Sequence, residues 1–215
     1  MSHTMAALSA ALPLVSGWSV HSLWMRRRIE DSRRDPLTGL WARDAFEERA
    51  RKSLSQRCQR AVLVLDLNWF KQINDTFGHA AGDEVLRATG QRLAQWAADN
   101  SGVAGRLGGD EFTAIIPAYG IDNLRLDLSD LAERLAQPVE FEGRHIDVHA
   151  SVGAALYWSG TGGLSTLLRR ADEQMYKAKQ SGGGWRIAHR LRIAPQMDTV
   201  NGRRAGRRGT SGEAA

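Results

Sequence analysis

Two glycines followed by two adjacent carboxylates lie in the stretch GRLGGDEFTAII, Gly105–Ile116. The flanking segments predict two strands, and Gly108 and Gly109 permit a tight reversal between them. A hairpin alone needs only Asp or Asn beside one glycine. Asp110 and Glu111 repel each other unless a positive charge lies nearby. The stretch is therefore either a solvated turn or part of a site that gathers positive charge.

A third carboxylate, Asp66, lies near the end of the apolar run AVLVLDL at Ala61–Leu67. The end of a buried strand is a usual place for a functional residue on an α/β sheet, although such a carboxylate can also be a strand-end cap that faces water. In the following segment, Phe70–Leu86, polar residues interrupt the apolar spacing and glycines permit close approach of backbone to a ligand. The polar residues are Lys71, Asn74, His79 and Asp83, and the glycines are Gly78 and Gly82.

These groups predict a magnesium–phosphate site, provided that the strand carrying Asp66 neighbours the hairpin. Asp66, Asp110 and Glu111 would then converge beside a lysine and glycine-rich backbone. Carboxylate oxygens are the hard ligands that Mg²⁺ prefers, and an ammonium supplies a point charge for phosphate.

The elements that must position these residues alternate between helical and strand-like patterns. Helices are predicted at Ala42–Leu54, His79–Ala98, Leu126–Ala136 and Leu164–Gln180, and strands at Ala61–Leu67, on both sides of the hairpin turn, at His145–Tyr157 and at Gly184–Ala188. This order predicts an α/β (α+β) fold in which a mixed sheet is flanked by helices. Trp96 and Met175 lie at helical spacing, which predicts that they are core residues.

Length and charge limit the function classes. The 215 residues suit one domain with extensions, and Cys58, the single cysteine, excludes an intrachain disulfide. Residues 35–185 hold 17 Lys and Arg against 20 Asp and Glu, a net charge of −3, whereas the flanks carry the basic excess that makes the whole chain +5. Because the predicted domain is mildly acidic, we expect it to bind no nucleic acid.

Residues 1–34 predict one N-terminal apolar helix, which anchors the chain, and a basic linker. Residues 1–25 contain no Asp, Glu, Lys or Arg, and residues 5–25 are about long enough to cross a hydrocarbon core of roughly 30 Å. The basic cluster Arg26–Arg28 follows, which places the remaining chain on the cytoplasmic side of the cell (inner) membrane. The alternative is a loosely apolar leader, or a helix that packs on a partner, in a cytoplasmic protein.

Two further segments complete the predicted organisation. Residues 35–190 form the predicted catalytic domain, and residues 191–215 form a tail that is rich in Arg and Gly. This composition predicts a disordered basic tail, with contact to anionic lipid or RNA as the alternative.

Five stretches, taken in order, resemble the diguanylate cyclase family, the GGDEF domains. They are DPLTGL (Asp35–Leu40), LDLNWFKQINDTFGHAAGDEVL (Leu65–Leu86), GRLGGDEF (Gly105–Phe112), SVGAA (Ser151–Ala155) and ADEQMYKAKQSG (Ala171–Gly182). A lone GGDEF string is unspecific, but five blocks in the family's order and spacing are specific. The resemblance implies a fold similar to the palm of nucleotidyl cyclases and polymerases.

The resemblance also implies a reaction. Each of two facing protomers of a homodimer would bind one GTP with Mg²⁺, for which Mn²⁺ is a substitute, and the 3′-hydroxyl of each GTP would attack the α-phosphate of the other. The products would be cyclic di-GMP and pyrophosphate. On the family pattern, Asp66, the carbonyl of Leu67 and Asp110 ligate the metal with support from Glu111, and Asp110 also accepts the proton of the attacking hydroxyl.

Substrate-binding roles follow from the same resemblance. Asn74 and Asp83 would read the guanine edge, because a carboxylate accepts from N1–H and the exocyclic amine, which adenine cannot match. Lys71 and Lys179 would neutralise the phosphates, which the backbone around Trp69 and Phe70 would cradle. His79 accompanies this set and is more simply interpreted as a structural hydrogen-bonding residue behind the loop.

The chain departs from the family pattern at four places. Asn68 stands where the family commonly has a second aspartate, and Gly183 stands where it often has an arginine. The positions of the Arg-x-x-Asp product-inhibition motif read DNSG, Asp99–Gly102, so we expect no product inhibition of that kind. Ala42 replaces an asparagine, which we expect to matter little.

Two other functions remain open from the sequence. One is a catalytically silent GTP-binding regulator, and the other is an interaction module whose working parts are the anchor and the tail. Two local predictions concern charge: Asp35 pairs with Arg43 to hold the first segment of the domain, and Asp172 and Glu173 form a solvated helix face.

Overall fold

The computed structural model describes residues 33–56, 58–158 and 162–188. Five helices and eight strands are assigned there. The strands are β1 (Trp41–Ala42), β2 (Arg60–Leu67), β3 (Val103–Gly108), β4 (Glu111–Pro117), β5 (Val139–Phe141), β6 (Arg144–Ile146), β7 (Ala150–Leu156) and β8 (Gly184–Ile187). The helices are α1 (Arg43–Leu54), α2 (Phe70–Phe77), α3 (His79–Asp99), α4 (Ile121–Leu135) and α5 (Leu164–Gln180).

Six strands form one mixed sheet in the order β1-β3-β4-β2-β7-β8. The pairs β1–β3 and β7–β8 are parallel, and the three inner pairs are antiparallel. Strand β2 lies inside the sheet and all of its residues are buried, which explains its run of β-branched and aliphatic residues. The predicted mixed sheet flanked by helices is confirmed.

Alternation along β2 divides the core into two layers. Leu63 and Leu65 pack with residues of α3 and α4 on one face of the sheet, including Trp96. Val62 and Val64 pack with residues of α1 and α5 on the other face, including Met175. The predicted core positions of Trp96 and Met175 are thus confirmed, and Asp66, two residues after Val64, belongs to the α5 face.

One predicted element is wrong as a single unit. The apolar pattern of residues 145–157 predicts one strand, but the chain forms β6 and β7 with Asp147–His149 between them. Strand β6 pairs with β5 in a separate two-stranded sheet, which turns through Glu142 and Gly143 at positive φ. An apolar run cannot signal a change of partner strand, because both strands bury alternate residues.

The flanking predictions fall outside the described residues. These include the candidate anchor at residues 5–25 and the tail at residues 191–215. Within residues 33–56, 58–158 and 162–188, no helix combines the length and the hydropathy that a membrane crossing requires.

Candidate active site

The end of β2 brings the first predicted carboxylate beside the glycine turn. Asp66 pairs with Glu111 of β4 on one side and with Ser151 of β7 on the other. The backbone N–H of Leu67 donates to the carbonyl oxygen of Asp110 over 3.4 Å. The two strands are therefore neighbours, as the magnesium–phosphate hypothesis requires, and the GGDE turn lies at the end of β2.

Helix α5 carries Lys179 to the same place. Gly153 of β7 makes this possible, because a Cβ at that position would overlap the carbonyl oxygen of Ala171 on the helix. The close approach of α5 lets the Lys179 ammonium lie 2.5 Å from Oδ1 of Asp66. The predicted phosphate-binding lysine is thus held at the carboxylate end of β2.

Negative charge accumulates at this end of the strand. Burial raises the pKa of Asp66, the hydrogen bond and charge of Lys179 lower it, and the charges of Asp110 and Asp172 raise it further, so the pKa lies above its ordinary value. One ammonium does not offset the three carboxylates, and their oxygens are donors that suit a hard divalent cation. In the part of the chain that the structure describes, no cluster of three or more His, Cys, Asp or Glu side chains is close enough to form a complete metal site.

Arg106 fixes the shape of the turn. Its guanidinium donates to the carbonyl oxygen of Gly109 from both Nε (3.0 Å) and Nη2 (2.7 Å), and its Nη1 donates to Asp35. The two glycines of the turn have positive φ, 143° at Gly108 and 53° at Gly109, which Gly adopts at little cost. The predicted tight reversal is confirmed, and an arginine that the sequence analysis passed over holds it.

The predicted Asp35–Arg43 pair is wrong. Asp35 instead forms a salt bridge of 2.9 Å with Arg106 and accepts hydrogen bonds from Thr38. Burial raises the pKa of Asp35, but these hydrogen bonds outweigh it and hold the pKa below its ordinary value. Arg43 donates to the carbonyl oxygen of Leu107. The first segment of the domain is therefore tied to the GGDE turn by long-range contacts.

The loop between β2 and α2 has the geometry of an anion cradle. Trp69 has a left-handed backbone, with φ 56° and ψ 24°, which is strained for a bulky residue. Helix α2 begins at Phe70 without a side-chain cap, so backbone N–H groups of its first turn remain available to an acceptor. The Trp69 ring is 58% exposed and contacts His149 edge to face, with centroids 5.8 Å apart.

Gly82 makes room for one of the two predicted guanine-binding residues, Asn74. A Cβ at Gly82 would overlap Oδ1 of Asn74, so the amide of Asn74 packs directly on the first turn of α3, in which Asp83 follows Gly82 in sequence. Asp83 is exposed, and so are Lys71 in α2 and His79 at the start of α3. No hydrogen bond joins the His79 side chain to another residue of the described chain, so the structural role predicted for it has no support.

The two departures from the family pattern at the phosphate side contact each other. Asn68 is 5% exposed, and its Oδ1 accepts a hydrogen bond of 2.8 Å from Ser151. Its Nδ2 is buried without a partner among the described residues. A Cβ at Gly183 would lie only 2.8 Å from that nitrogen, and Gly183 has φ 113°. The side chain at position 68 therefore limits what position 183 can hold, and the two departures from the family pattern depend on each other.

The positions of the product-inhibition motif, Asp99–Gly102, lie in the turn between α3 and β3, where local contacts disfavour the motif's side chains. Asp99 forms a salt bridge of 2.7 Å with Arg134. Gly102 packs on β4 so tightly that a Cβ would overlap the carbonyl oxygen of Ile115 and lie 2.6 Å from Cγ2 of Ile116. An aspartate therefore does not fit at position 102 without movement of the turn.

Sequence reasoning missed three residues that position this site: Arg106, Gly153 and Ser151. The sequence does offer a clue to Arg106, because this arginine lies on a predicted strand just before the glycine turn and is close enough to contact it. Gly153 lies in SVGAA, a quoted block, where a glycine inside a strand pattern indicates close backbone approach. Ser151 has no signal of its own, since its partner is 83 residues away.

Comparison with known proteins agrees with this geometry. The family described as diguanylate cyclase, GGDEF domain, matches residues 32–184. An uncharacterised 19.3 kDa protein of Streptomyces ambofaciens is 43% identical over 169 residues, which cover 78% of this chain and 89% of that protein. Diguanylate cyclase DgcP of Pseudomonas aeruginosa is 32% identical over 184 residues, 81% of this chain but 27% of that longer protein.

A solved structure shares the fold. The GGDEF domain of TpbB (YfiN) from Pseudomonas aeruginosa, solved without the rest of that protein, is 34% identical and superposes with a TM-score of 0.68. The alignment covers 73% of this chain and 94% of that one. The chain that holds Asp66, Lys179 and the GGDE turn together belongs to the diguanylate cyclase family of GGDEF domains.

Proposed function

We propose that this chain is an active diguanylate cyclase that condenses two GTP into cyclic di-GMP and two pyrophosphates. The observation that carries the proposal is the convergence at the end of β2 of Asp66, the GGDE turn and Lys179. Each 3′-oxygen forms a bond to the α-phosphorus of the other GTP, the bond from that phosphorus to the bridging oxygen of the β-phosphate breaks, and pyrophosphate leaves. Asp110 takes the proton of the attacking hydroxyl.

Magnesium, or manganese in its place, would be held by Asp66, Asp110 and the carbonyl of Leu67, with Glu111 in support. The fit rests on the donor set: the oxygens of Asp66 and of the GGDE turn meet at the end of β2 beside the single ammonium of Lys179. The pKa of Asp66 is raised mainly by burial, and the charges of Asp110 and Asp172 raise it further. When bound, the metal supplies charge to the α-phosphate oxygens and to the hydroxyl that attacks. The strand register would hold Asp66 for this role, and Lys179 would then be available to the phosphates.

Base and phosphate recognition would use the loop after β2. Asn74, whose amide packs on Gly82, and Asp83, the next residue of α3, would supply an amide and a carboxylate, a set that matches the guanine edge. The uncapped start of α2 and Lys71 would hold the triphosphate, with Phe70 packed behind it.

The reaction needs two copies of the chain, because each site presents one GTP to the other. We therefore propose a homodimer as the active form, with residues 5–25 as a single membrane helix that brings two cytoplasmic domains together. Residues 26–34 connect that helix to Asp35, which contacts the turn through Arg106. We also propose that cyclic di-GMP does not inhibit through the α3–β3 turn, because Gly102 has no room for a side chain.

The test is conversion of GTP to cyclic di-GMP by the full-length protein in nanodiscs with Mg²⁺, beside Asp110→Ala. Asp122→Ala is the matched control, because Asp122 is exposed on α4 and its ion pair is with Arg125, a neighbour on the same helix. Product from the parent and the control, with none from Asp110→Ala, is the expected result. A demonstrated dimer that forms no product refutes the proposal.

A second candidate, a GTP-binding regulator without turnover, is favoured by one observation. The Asn68–Gly183 contact replaces a carboxylate and an arginine at the phosphate side of the site. GTP binding by calorimetry without product would establish this alternative. Function that survives both Asp110→Ala and loss of GTP binding would instead indicate an interaction module.

A further inference from the structure

A cavity lies at the opposite end of β2 from Asp66. Its volume is about 630 Å³, within the range of small-molecule sites. It forms where the segment before β2, the α3–β3 turn and the end of β4 meet, and its lining includes Gln56, Gln59, Arg60, Ser101 and Tyr119. Arg60 begins β2 and Asp66 lies six residues further, so about 20 Å of strand separates this cavity from the candidate active site.

Arg60 is a buried cation without a counter-charge among the described residues. The residue is 7% exposed, and its side chain donates a hydrogen bond from Nη2 to Oε1 of Gln56. Its Nε is buried and has no partner within the described residues. No Asp or Glu lines the cavity, and no described carboxylate forms an ion pair with Arg60.

A guanidinium has five N–H donors in a planar fork that matches an oxyanion in two places. Burying such a group without a paired charge is costly, and charged groups at this depth are normally paired. The cavity offers the space in which a negatively charged ligand would complete the pairing.

The other residues that line the cavity indicate which chemical groups the ligand carries besides its negative charge. Pro117 and Ala118 supply apolar surface, and the Tyr119 ring, 83% exposed, stands at the cavity as a face on which a flat group can lie. Ser101 and Gln59 add neutral hydrogen-bonding groups. Asp99 and Gly102, the end positions of the product-inhibition motif, do not line the cavity.

We propose that this cavity binds a small organic oxyanion, a carboxylate or phosphate monoester carried on a flat apolar group, with Arg60 as its anion-binding residue and Tyr119 as its stacking surface. The site is separate from the GTP site and does not depend on cyclase activity. Carboxylate and phosphate share the same fork-shaped contact with a guanidinium, so the probes must separate them.

The experiment titrates the full-length protein in nanodiscs with benzoate, phenyl phosphate and inorganic phosphate. Binding is followed by calorimetry and by the ¹⁵N–¹H signal of the Arg60 Nε. Benzoate or phenyl phosphate is expected to bind saturably and to shift that signal, and inorganic phosphate is expected to bind more weakly because it lacks the ring. The tighter of the two aromatic probes identifies the headgroup.

Variants localise the binding. Arg60→Gln is expected to weaken the better probe at least tenfold, as loss of a charge-assisted contact does. Tyr119→Ala, at an exposed position that leaves the fold intact, is expected to weaken it several-fold. Lys71→Ala, in the candidate GTP site, is expected to leave this affinity unchanged. No saturable binding of either aromatic probe, binding that ignores both Arg60→Gln and Tyr119→Ala, or binding lost only in Lys71→Ala would overturn the proposal.

Discussion

The two ends of β2 carry buried charges of opposite sign, and the two charges differ in whether a described residue of opposite charge pairs with them. At the C-terminal end, Asp66 is a buried carboxylate that is paired with Lys179 and crowded by Asp110 and Asp172. At the N-terminal end, Arg60 is a buried guanidinium bound to one neutral amide. Between them the strand is apolar and buried throughout. One strand therefore carries a carboxylate site whose partners are present and a cationic site whose charge partner is not among the described residues.

This difference separates two kinds of inference. The Asp66 end is assembled from residues that the chain presents in recognisable blocks, and its function follows from a family. The Arg60 end is assembled from isolated residues of three segments, and its function follows only from burial, space and charge. The comparison predicts that changes at the first end act on turnover, whereas changes at the second act on stability and ligand binding.

The largest expected effect is at Asp66. Asp66→Asn keeps the shape and removes the charge, and we expect cyclic di-GMP formation to fall by about a thousandfold, the upper range for loss of one electrostatic contact in an active site. Because the pKa of Asp66 is raised in the folded state, its charged form costs stability at neutral pH, and that cost disappears as the pH falls through the folded pKa. The variant is therefore expected to unfold at the same temperature as the parent or higher. Activity assays and thermal unfolding check both parts, and activity above a tenth of the parent value would contradict the role of Asp66.

The next effect concerns substrate recognition. In Gly82→Ala, the new methyl would occupy the position of Oδ1 of Asn74 and displace that amide from its place on α3. We expect KM for GTP to rise about ten- to a hundredfold, which corresponds to roughly 1.4–2.7 kcal/mol of binding, with a smaller change in kcat. Steady-state kinetics measure the changes in KM and kcat separately.

Gly163→Ala is the matched control for that variant. Gly163 is the N-cap of α5, at the start of a helix as Gly82 is in the first turn of α3, but a Cβ there meets no atom of the described residues within 4 Å. An equal rise of KM in both variants would mean that the effect comes from glycine replacement and not from Asn74.

A smaller effect tests whether the two departures act as a unit. Gly183→Arg alone is expected to lower kcat/KM, because its Cβ would press on Nδ2 of Asn68 and because φ 113° is strained for a side chain. Asn68→Asp supplies the carboxylate that this arginine would pair with, so the double variant is expected to recover activity. A four-variant cycle measures the coupling, which we expect at about 0.5–3 kcal/mol.

Gly182→Arg controls for the backbone strain, because Gly182 has φ 93° but open space around its Cβ position. Additive effects of Asn68→Asp and Gly183→Arg would show that the two positions are independent.

The sequence predicts the carboxylate end of β2 well and the cationic end not at all. The sequence predicts one site for Asp66, Asp110 and Lys179 because each lies in a block with a strong pattern. The structure brings them close together through the β2–β4 pairing, the hydrogen bond from Leu67 to Asp110 and the ion pair between Lys179 and Asp66. Arg60 begins an apolar run, which is an ordinary place for a surface arginine. Only the three-dimensional meeting of Gln56, Ser101 and Tyr119 around it creates a cavity.

The wrong predictions share one cause, which is distance along the chain. Nearness in sequence favours Arg43 as the partner of Asp35, whereas the actual partner, Arg106, is 71 residues away. That pairing depends on the geometry of the glycine turn, since Arg106 also holds the carbonyl oxygen of Gly109. The break between β6 and β7 likewise depends on which strand each one pairs with, and local hydropathy carries no such information.

The smallest expected effect is on stability, and it tests most directly whether the two ends of β2 differ in charge pairing. Arg60→Met removes a buried charge that has no ion-pair partner among the described residues, and replacement of such a group by an apolar one of similar volume is neutral or stabilising by about 1 kcal/mol or more. Lys179→Met instead leaves Asp66 without its cation beside two other carboxylates, which is expected to destabilise the protein by about 1 kcal/mol, since Lys179 is partly exposed. For a domain of this size, each shift corresponds to roughly 2–4 °C in Tm, in opposite directions. Thermal unfolding of the full-length protein in phosphate-free and carboxylate-free buffer measures both. A fall in Tm for Arg60→Met as large as that for Lys179→Met would show that the Arg60 guanidinium is already paired, and the two ends of β2 would then not differ in the way the structure indicates.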